Sequence, residues 1–145
     1  MTAETLTQVT QQTIEINLPS RLASVSEVAQ QTAALLAQTQ LGDDVAFGID
    51  MAVREAVANA ILHGNKQDAA KQVEVVLRAA DDFFEMTVRD FGTGFALGAV
   101  PDPTEAENLL KTSGRGILFM RTFMDEVEWS RHAEGGTIVR LLKKR

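Results

Sequence analysis

The 145 residues, 45% hydrophobic and 23% charged, have the composition of one globular domain with its own core, which excludes disorder as the main state. No cysteine occurs, so disulfide frameworks, thiolate zinc sites, iron–sulfur clusters and thiol nucleophiles drop out together. With 14 Lys and Arg against 20 Asp and Glu, the net charge of -6 disfavours nucleic acid or an anionic membrane surface as a partner.

Residues 1–12 are rich in Thr and Gln, show no apolar period and read as a polar N-terminal tail before a single domain over 13–145. This polar, acidic start lacks the basic and apolar run of a secretory leader, and no apolar stretch approaches the ~20 residues of a membrane span. A cytoplasmic protein is expected. Ile14-Glu15-Ile16-Asn17-Leu18 alternates strictly and stops at Pro19, the pattern of a short strand. Ser24-Val25-Ser26-Glu27 has the spacing of a capping box, which predicts Ser24 as the cap of an amphipathic helix ending near Leu41-Gly42. Asp43-Asp44 opens the most regular segment. Val45, Ile49, Ala52, Val53, Ala56, Val57, Ala60 and Ile61 recur at helical spacing and form one broad stripe, predicting a helix to about His63 with Gly64-Asn65 as its stop.

Val73, Val75 and Leu77 then share one face and Phe84, Met86 and Val88 another, with a turn signal at Ala80-Asp81-Asp82, which predicts an antiparallel hairpin. Residues 91–116 are rich in glycine, contain Pro101 and Pro103 and show no period, so they read as a long functional loop. Ile117, Met120, Arg121 and Met124 suggest a short helix. Glu126–Trp129 and Thr137–Leu141 read as two further strands around a turn at Gly135-Gly136. Helices and strands in separate runs predict an α+β fold rather than a doubly wound parallel sheet.

Three clusters are able to carry chemistry. Glu55, Asn59 and His63 form an i, i+4, i+8 row beside the apolar stripe of their helix. Alone, they read as a solvated acid, a helix-end amide and a structural histidine. At the border of a cleft, the carboxylate is suited to accept a proton from an attacking hydroxyl, and the amide oxygen to meet a hard cation such as Mg²⁺. In Asp90-Phe91-Gly92-Thr93-Gly94-Phe95, counting by two from Phe84 puts Asp90 on the core face. There it is either a turn-initiating residue bonding its own backbone or an acceptor for a donor such as an adenine amine. Gly114 and Gly116 flank Arg115 just before the short helix, an arrangement that reads as a bare helix start or as N–H groups and a cation offered to phosphate.

Glu55-Ala56-Val57-Ala58-Asn59-Ala60-Ile61-Leu62-His63-Gly64 resembles the N box of the GHKL ATPase superfamily, typified by gyrase, the heat-shock chaperone, histidine kinases and MutL. Asp90-Phe91-Gly92-Thr93-Gly94 resembles its first glycine box, Ser113-Gly114-Arg115-Gly116 its second, and Gly136-Thr137 its terminal element. Chain length and the segment Phe123-Met124-Asp125 narrow the resemblance to the small anti-sigma-factor serine/threonine protein kinases of bacteria. The resemblance implies a two-layer sandwich, with a mixed, mostly antiparallel sheet covered by helices on one face. It implies ATP and Mg²⁺ as cofactors, Glu55 as the general base or hydroxyl-orienting group, and Asn59 as the Mg²⁺ ligand. Asp90 would bind the adenine amine, Gly92 and Gly94 would shape the base site, and Thr137 would lie near the adenine. Gly114, Arg115 and Gly116 would hold the phosphates under residues 96–113 as a lid, and His63 would contact phosphate. The implied partners are a STAS-type anti-anti-sigma antagonist carrying the acceptor Ser or Thr, a sigma factor or other regulator, and a second copy of the chain in a homodimer. The alternative expectation is a nucleotide-dependent binding module without catalysis.

Overall fold

The structure is a computed structural model that describes residues 11–66, 68, 70–92 and 120–145. Its elements run β1 (Gln12–Pro19), α1 (Ala23–Leu36), α2 (Asp43–Asn59), a π-helical turn (Ala60–Gly64), β2 (Gln72–Ala80), β3 (Phe83–Arg89), β4 (Glu126–Arg131) and β5 (Thr137–Lys144). The strands form one five-stranded sheet in the order β1-β2-β3-β5-β4. Every pairing among the described strands is antiparallel, so the parallel component of a mixed sheet does not occur among them. The predicted hairpin is β2–β3, closed at Asp81-Asp82, with Val75 opposite Val88 and Leu77 opposite Met86.

Alternation along the strands produces the two layers. Val73, Val75 and Leu77 of β2, Met86 and Val88 of β3 and Leu141 of β5 point one way and pack against the stripes of α1 and α2. Val28 of α1 and Ile49, Val53 and Val57 of α2 are completely buried there. Gly48 of α2 leaves room for the Phe123 ring, which a side chain at that position would meet at 2.7 Å. The other sheet face is polar. Glu85 of β3, only 9% exposed, is shared between Arg78 of β2 and Arg140 of β5. Arg140 reaches on to Glu126 at 2.9 Å and Glu128 at 3.2 Å on β4. Bonding to Glu126 and then Glu85 holds its guanidinium well above the ordinary arginine range.

The helix ends depart from expectation. Ser24 is not the cap of α1. Leu22 occupies that position without a side-chain bond, and the buried Ser24 hydroxyl donates to Pro19 O at 2.7 Å, tying the helix start to the end of β1. The helix stops at Leu36 rather than near Gly42, because the Thr39 hydroxyl donates to Leu36 O at 2.8 Å and satisfies a carbonyl that another turn would have used. Gly42 follows with φ +89°, and Asp43 and Asp44 then occupy the first turn of α2, the favourable end for acids on a helix dipole. At the far end, Asn65 N donates back to Ala60 O at 2.8 Å, a spacing of five residues that widens the last turn. The strand β1 begins at Gln12, earlier than its alternating core, and Gln12 Nε2 donates to Gln38 Oε1 at 2.7 Å. No helix among the described residues is long and apolar enough to cross a membrane.

Candidate functional site

The wide turn that ends α2 lands on Asp90. This residue follows β3 on the core face, as its alternation predicts, and is 5% exposed. Its N–H donates to Thr137 O at 3.0 Å, and its Oδ1 accepts from Thr137 N at 3.2 Å and Gly92 N at 3.0 Å. Oδ2 accepts no hydrogen bond from the described residues. Burial raises the Asp90 carboxyl above its usual 3.8, and the Gly92 and Thr137 N–H groups and the charges of Lys71 and Arg89 oppose that rise. A sunken carboxylate with one oxygen held by two N–H groups and the other without a partner among the described residues is suited to receive a hydrogen-bond donor.

Glycines make this depth possible by their lack of side chain. A Cβ on Gly64 would lie 2.1 Å from Asp90 Oδ2, and one on Gly92 would lie 1.9 Å from Gly64 O. The reason for Gly64 is therefore room for Asp90 rather than a left-handed helix stop. Gly136 combines φ +87° with a missing Cβ that would lie 1.9 Å from Asp90 O, so both space and torsion demand glycine there. Thr137 joins the site through its main chain, with N–H and C=O both on Asp90.

Upstream on α2, Glu55 and Asn59 lie one turn apart and are half-buried. Asn59 Oδ1 is buried without a hydrogen-bond partner, an orphan acceptor of the kind that a ligand or cation satisfies. Glu55 has no ion-pair or hydrogen-bond partner among the described residues. His63 sits in the π-helical turn and is exposed. Gly94, Gly114, Arg115 and Gly116, with the lid expected over 96–113, lie outside the described residues. Two contributors were missed in the sequence. Asn65 is 2% exposed and bonds both Phe91 and the start of β2, whereas its position after Gly64 had suggested only a helix stop. Arg89 stacks 4.2 Å from the Phe91 ring centroid and donates to Gly135 O at 3.1 Å, bracing the turn before Thr137. A polar residue directly after a helix-ending glycine was the available signal for Asn65; Arg89 had none.

Residues 18–143 match the model of the histidine kinase-like ATPase domain. The chain belongs to this family. Among its relatives, the Anti-sigma F factor of Heyndrickxia coagulans is 35% identical over 133 residues, covering 90% of each chain. Two solved structures share the fold. The RsbU and RsbW domains of a Mycobacterium tuberculosis protein superpose with a TM-score of 0.65 at 21% identity, covering 92% of this chain and 32% of that one. The SiaB–SiaC complex of Pseudomonas aeruginosa gives 0.65 at 13%, covering 97% and 92%. For a histidine kinase-like ATPase domain, the resemblance of Glu55–Gly64 and Asp90–Gly94 to nucleotide-site motifs now has a geometry: the end of the first segment is pressed against the acid of the second. Among the described residues no group of three or more His, Asp or Glu could hold a metal ion. The buried Asn59 Oδ1 is a neutral oxygen of the kind that Mg²⁺ accepts beside phosphate and water oxygens.

Proposed function

We propose that this chain is an ATP-dependent serine/threonine protein kinase that works as an anti-sigma factor or similar switch. It transfers the γ-phosphoryl group of ATP to a Ser or Thr of a STAS-type anti-anti-sigma antagonist, and it holds a sigma factor or related regulator when that antagonist is phosphorylated. A homodimer is part of this reading, as is a cytoplasmic setting. The observation that carries it is the buried Asp90 carboxylate packed against Gly64 at the turn that ends α2, with the unpartnered buried acceptor Asn59 Oδ1 five residues earlier on the same run of helix. The similarity to Anti-sigma F factors supports the choice of partner class.

When bound, Mg–ATP supplies the phosphoryl group and most of the charge neutralisation that its transfer requires. The protein's own contribution divides between its two ends. Asp90 Oδ2 accepts the exocyclic amine of adenine and rejects a base presenting an oxygen there, because two acceptors then face each other in a buried place. Asn59 offers Oδ1 to Mg²⁺. Glu55 takes or orients the proton of the attacking hydroxyl, a role open to a half-buried carboxylate with no cation paired to it among the described residues. Gly94, Gly114, Arg115, Gly116 and His63 are assigned to the remainder of the nucleotide by the resemblance alone.

The test is phosphate transfer from γ-labelled ATP to a STAS-domain protein recovered with this chain from its source cell in the presence of ADP. Transfer that Glu55→Gln abolishes, with ATP binding retained, supports the kinase. Retained binding without transfer in the unaltered chain leaves a nucleotide-dependent binding module. Absence of any thermal stabilisation by saturating Mg–ATP ends the nucleotide reading altogether.

A further inference from the structure

We infer that Asn65 is a positioning residue for base recognition: its side-chain amide clips the Asp90–Gly92 segment to the end of α2 and so sets where Asp90 Oδ2 sits. This rests on the reading of Asp90 as the adenine acceptor. Asn65 Oδ1 accepts from Phe91 N at 2.7 Å, and Asn65 Nδ2 donates to Gln72 O at 2.9 Å. Its backbone N–H closes the π-helical turn on Ala60 O at 2.8 Å. One 2% exposed side chain thus joins three separate pieces of chain: the helix end, the first residue of β2, and the segment after β3.

An amide suits this place because it carries a donor and an acceptor on one short, planar group. An alanine leaves Phe91 N–H and Gln72 C=O without partners. An aspartate turns an oxygen toward Gln72 O and adds a second carboxylate beside Asp90. Phe91 lies between Asp90 and Gly92, and Gly92 N–H holds Asp90 Oδ1. Releasing Phe91 therefore loosens one of the two bonds that orient the carboxylate, while the other, from Thr137, stays in place. The absence of any slack between Gly92 and Gly64 means the clip acts against contact on the far side, which holds the segment to a single position. Asn59 and Glu55 precede the turn, and the backbone N–H that closes it is kept in an alanine variant, so the phosphate end is left unaltered.

The experiment measures the dissociation constants of Mg–ATP and Mg–ITP, whose base carries an oxygen in place of the adenine amine, for the whole chain and for Asn65→Ala. The unaltered chain prefers ATP. In Asn65→Ala this preference falls by about tenfold, through weaker ATP binding at unchanged ITP binding, the cost of misplacing one hydrogen bond to a charged group. A purely structural role weakens both nucleotides alike and leaves their ratio alone, and an unchanged ratio overturns the inference. An unaltered chain that binds ATP and ITP equally removes the Asp90 reading itself and this inference with it. Hydrogen exchange at the Phe91 amide of the unaltered, nucleotide-free chain decides the matter even if the variant does not fold. Slow exchange supports the clip, and exchange at the rate of an open loop overturns it.

Discussion

Replacing Asp90 by Asn separates the binding role of this residue from its structural one. Asparagine is isosteric, so its Oδ1 keeps the bonds from Gly92 N and Thr137 N, while an NH₂ group takes the place of Oδ2 above Gly64. The donor then faces the adenine amine, another donor. Losing one charge-assisted hydrogen bond costs about 1.5–3 kcal/mol, roughly tenfold to a hundredfold or more in affinity. Mg–ATP at ~100 times its dissociation constant stabilises a folded chain by about 2.7 kcal/mol. At the same concentration, the variant should gain about 1.4 kcal/mol after a tenfold loss and about 0.4 kcal/mol after a hundredfold loss. At roughly 2–4 °C per kcal/mol for a chain near this size, a melting shift of about 5–11 °C shrinks to about 1–6 °C. Without nucleotide the variant melts no lower than the original chain, because the substitution removes a charge that burial disfavours. Differential scanning calorimetry with and without Mg–ATP measures both quantities. A full-sized shift in Asp90→Asn refutes the adenine assignment, and a nucleotide-free melting point several degrees lower refutes the account of its burial.

The same carboxyl predicts opposite pH trends for stability and binding. Its folded-state value lies above 3.8, so its stabilising contribution is complete below 3.8 and is lost as the pH rises through the raised value. ATP affinity runs the other way, falling as acidification protonates the acceptor, and titration calorimetry at several pH values should find that slope reduced in Asp90→Asn. Two neighbouring glycines give a matched pair. Gly135→Ala, with φ +106° and open space around it, costs about 1–2 kcal/mol of torsional strain. Gly136→Ala, whose new Cβ meets Asp90 O, costs more and also removes the Mg–ATP shift; equal melting points for the two exclude the clash. On the polar sheet face, Glu85→Ala removes the carboxylate that Arg78 and Arg140 share, leaves Arg140 with Glu126 and Glu128, and should cost about 1 kcal/mol, discounted for guanidinium groups about a third exposed. Glu128→Ala, at a 62% exposed side chain, should stay within about 0.5 kcal/mol, and thermal melts that rank the two the other way contradict the ladder.

Much of this molecule is legible from short-range pattern. Alternation in Ile14–Leu18, Val73–Leu77 and Phe84–Val88 and the stripe from Val45 to Ile61 fix which face of each element is apolar, because side-chain direction repeats every two residues in a strand and about every 3.6 in a helix. The same counting carried Asp90 onto the buried face and set Glu55 one turn before Asn59. Local pattern failed at Ser24, whose hydroxyl found Pro19 O instead of the helix N–H groups.

By itself, then, the order of residues determined the α+β class, the element types and the identity of the polar groups along α2 and after β3. Tertiary structure alone decided that β5 lies between β3 and β4, that Gly64, Asp90 and Gly136 share one contact, and that Asn65 bonds Phe91 across 26 positions of chain. Periodicity is a property of neighbours a few residues apart, whereas clearances of about one methyl group between distant segments exist only after the sheet has paired and the helices have packed on it.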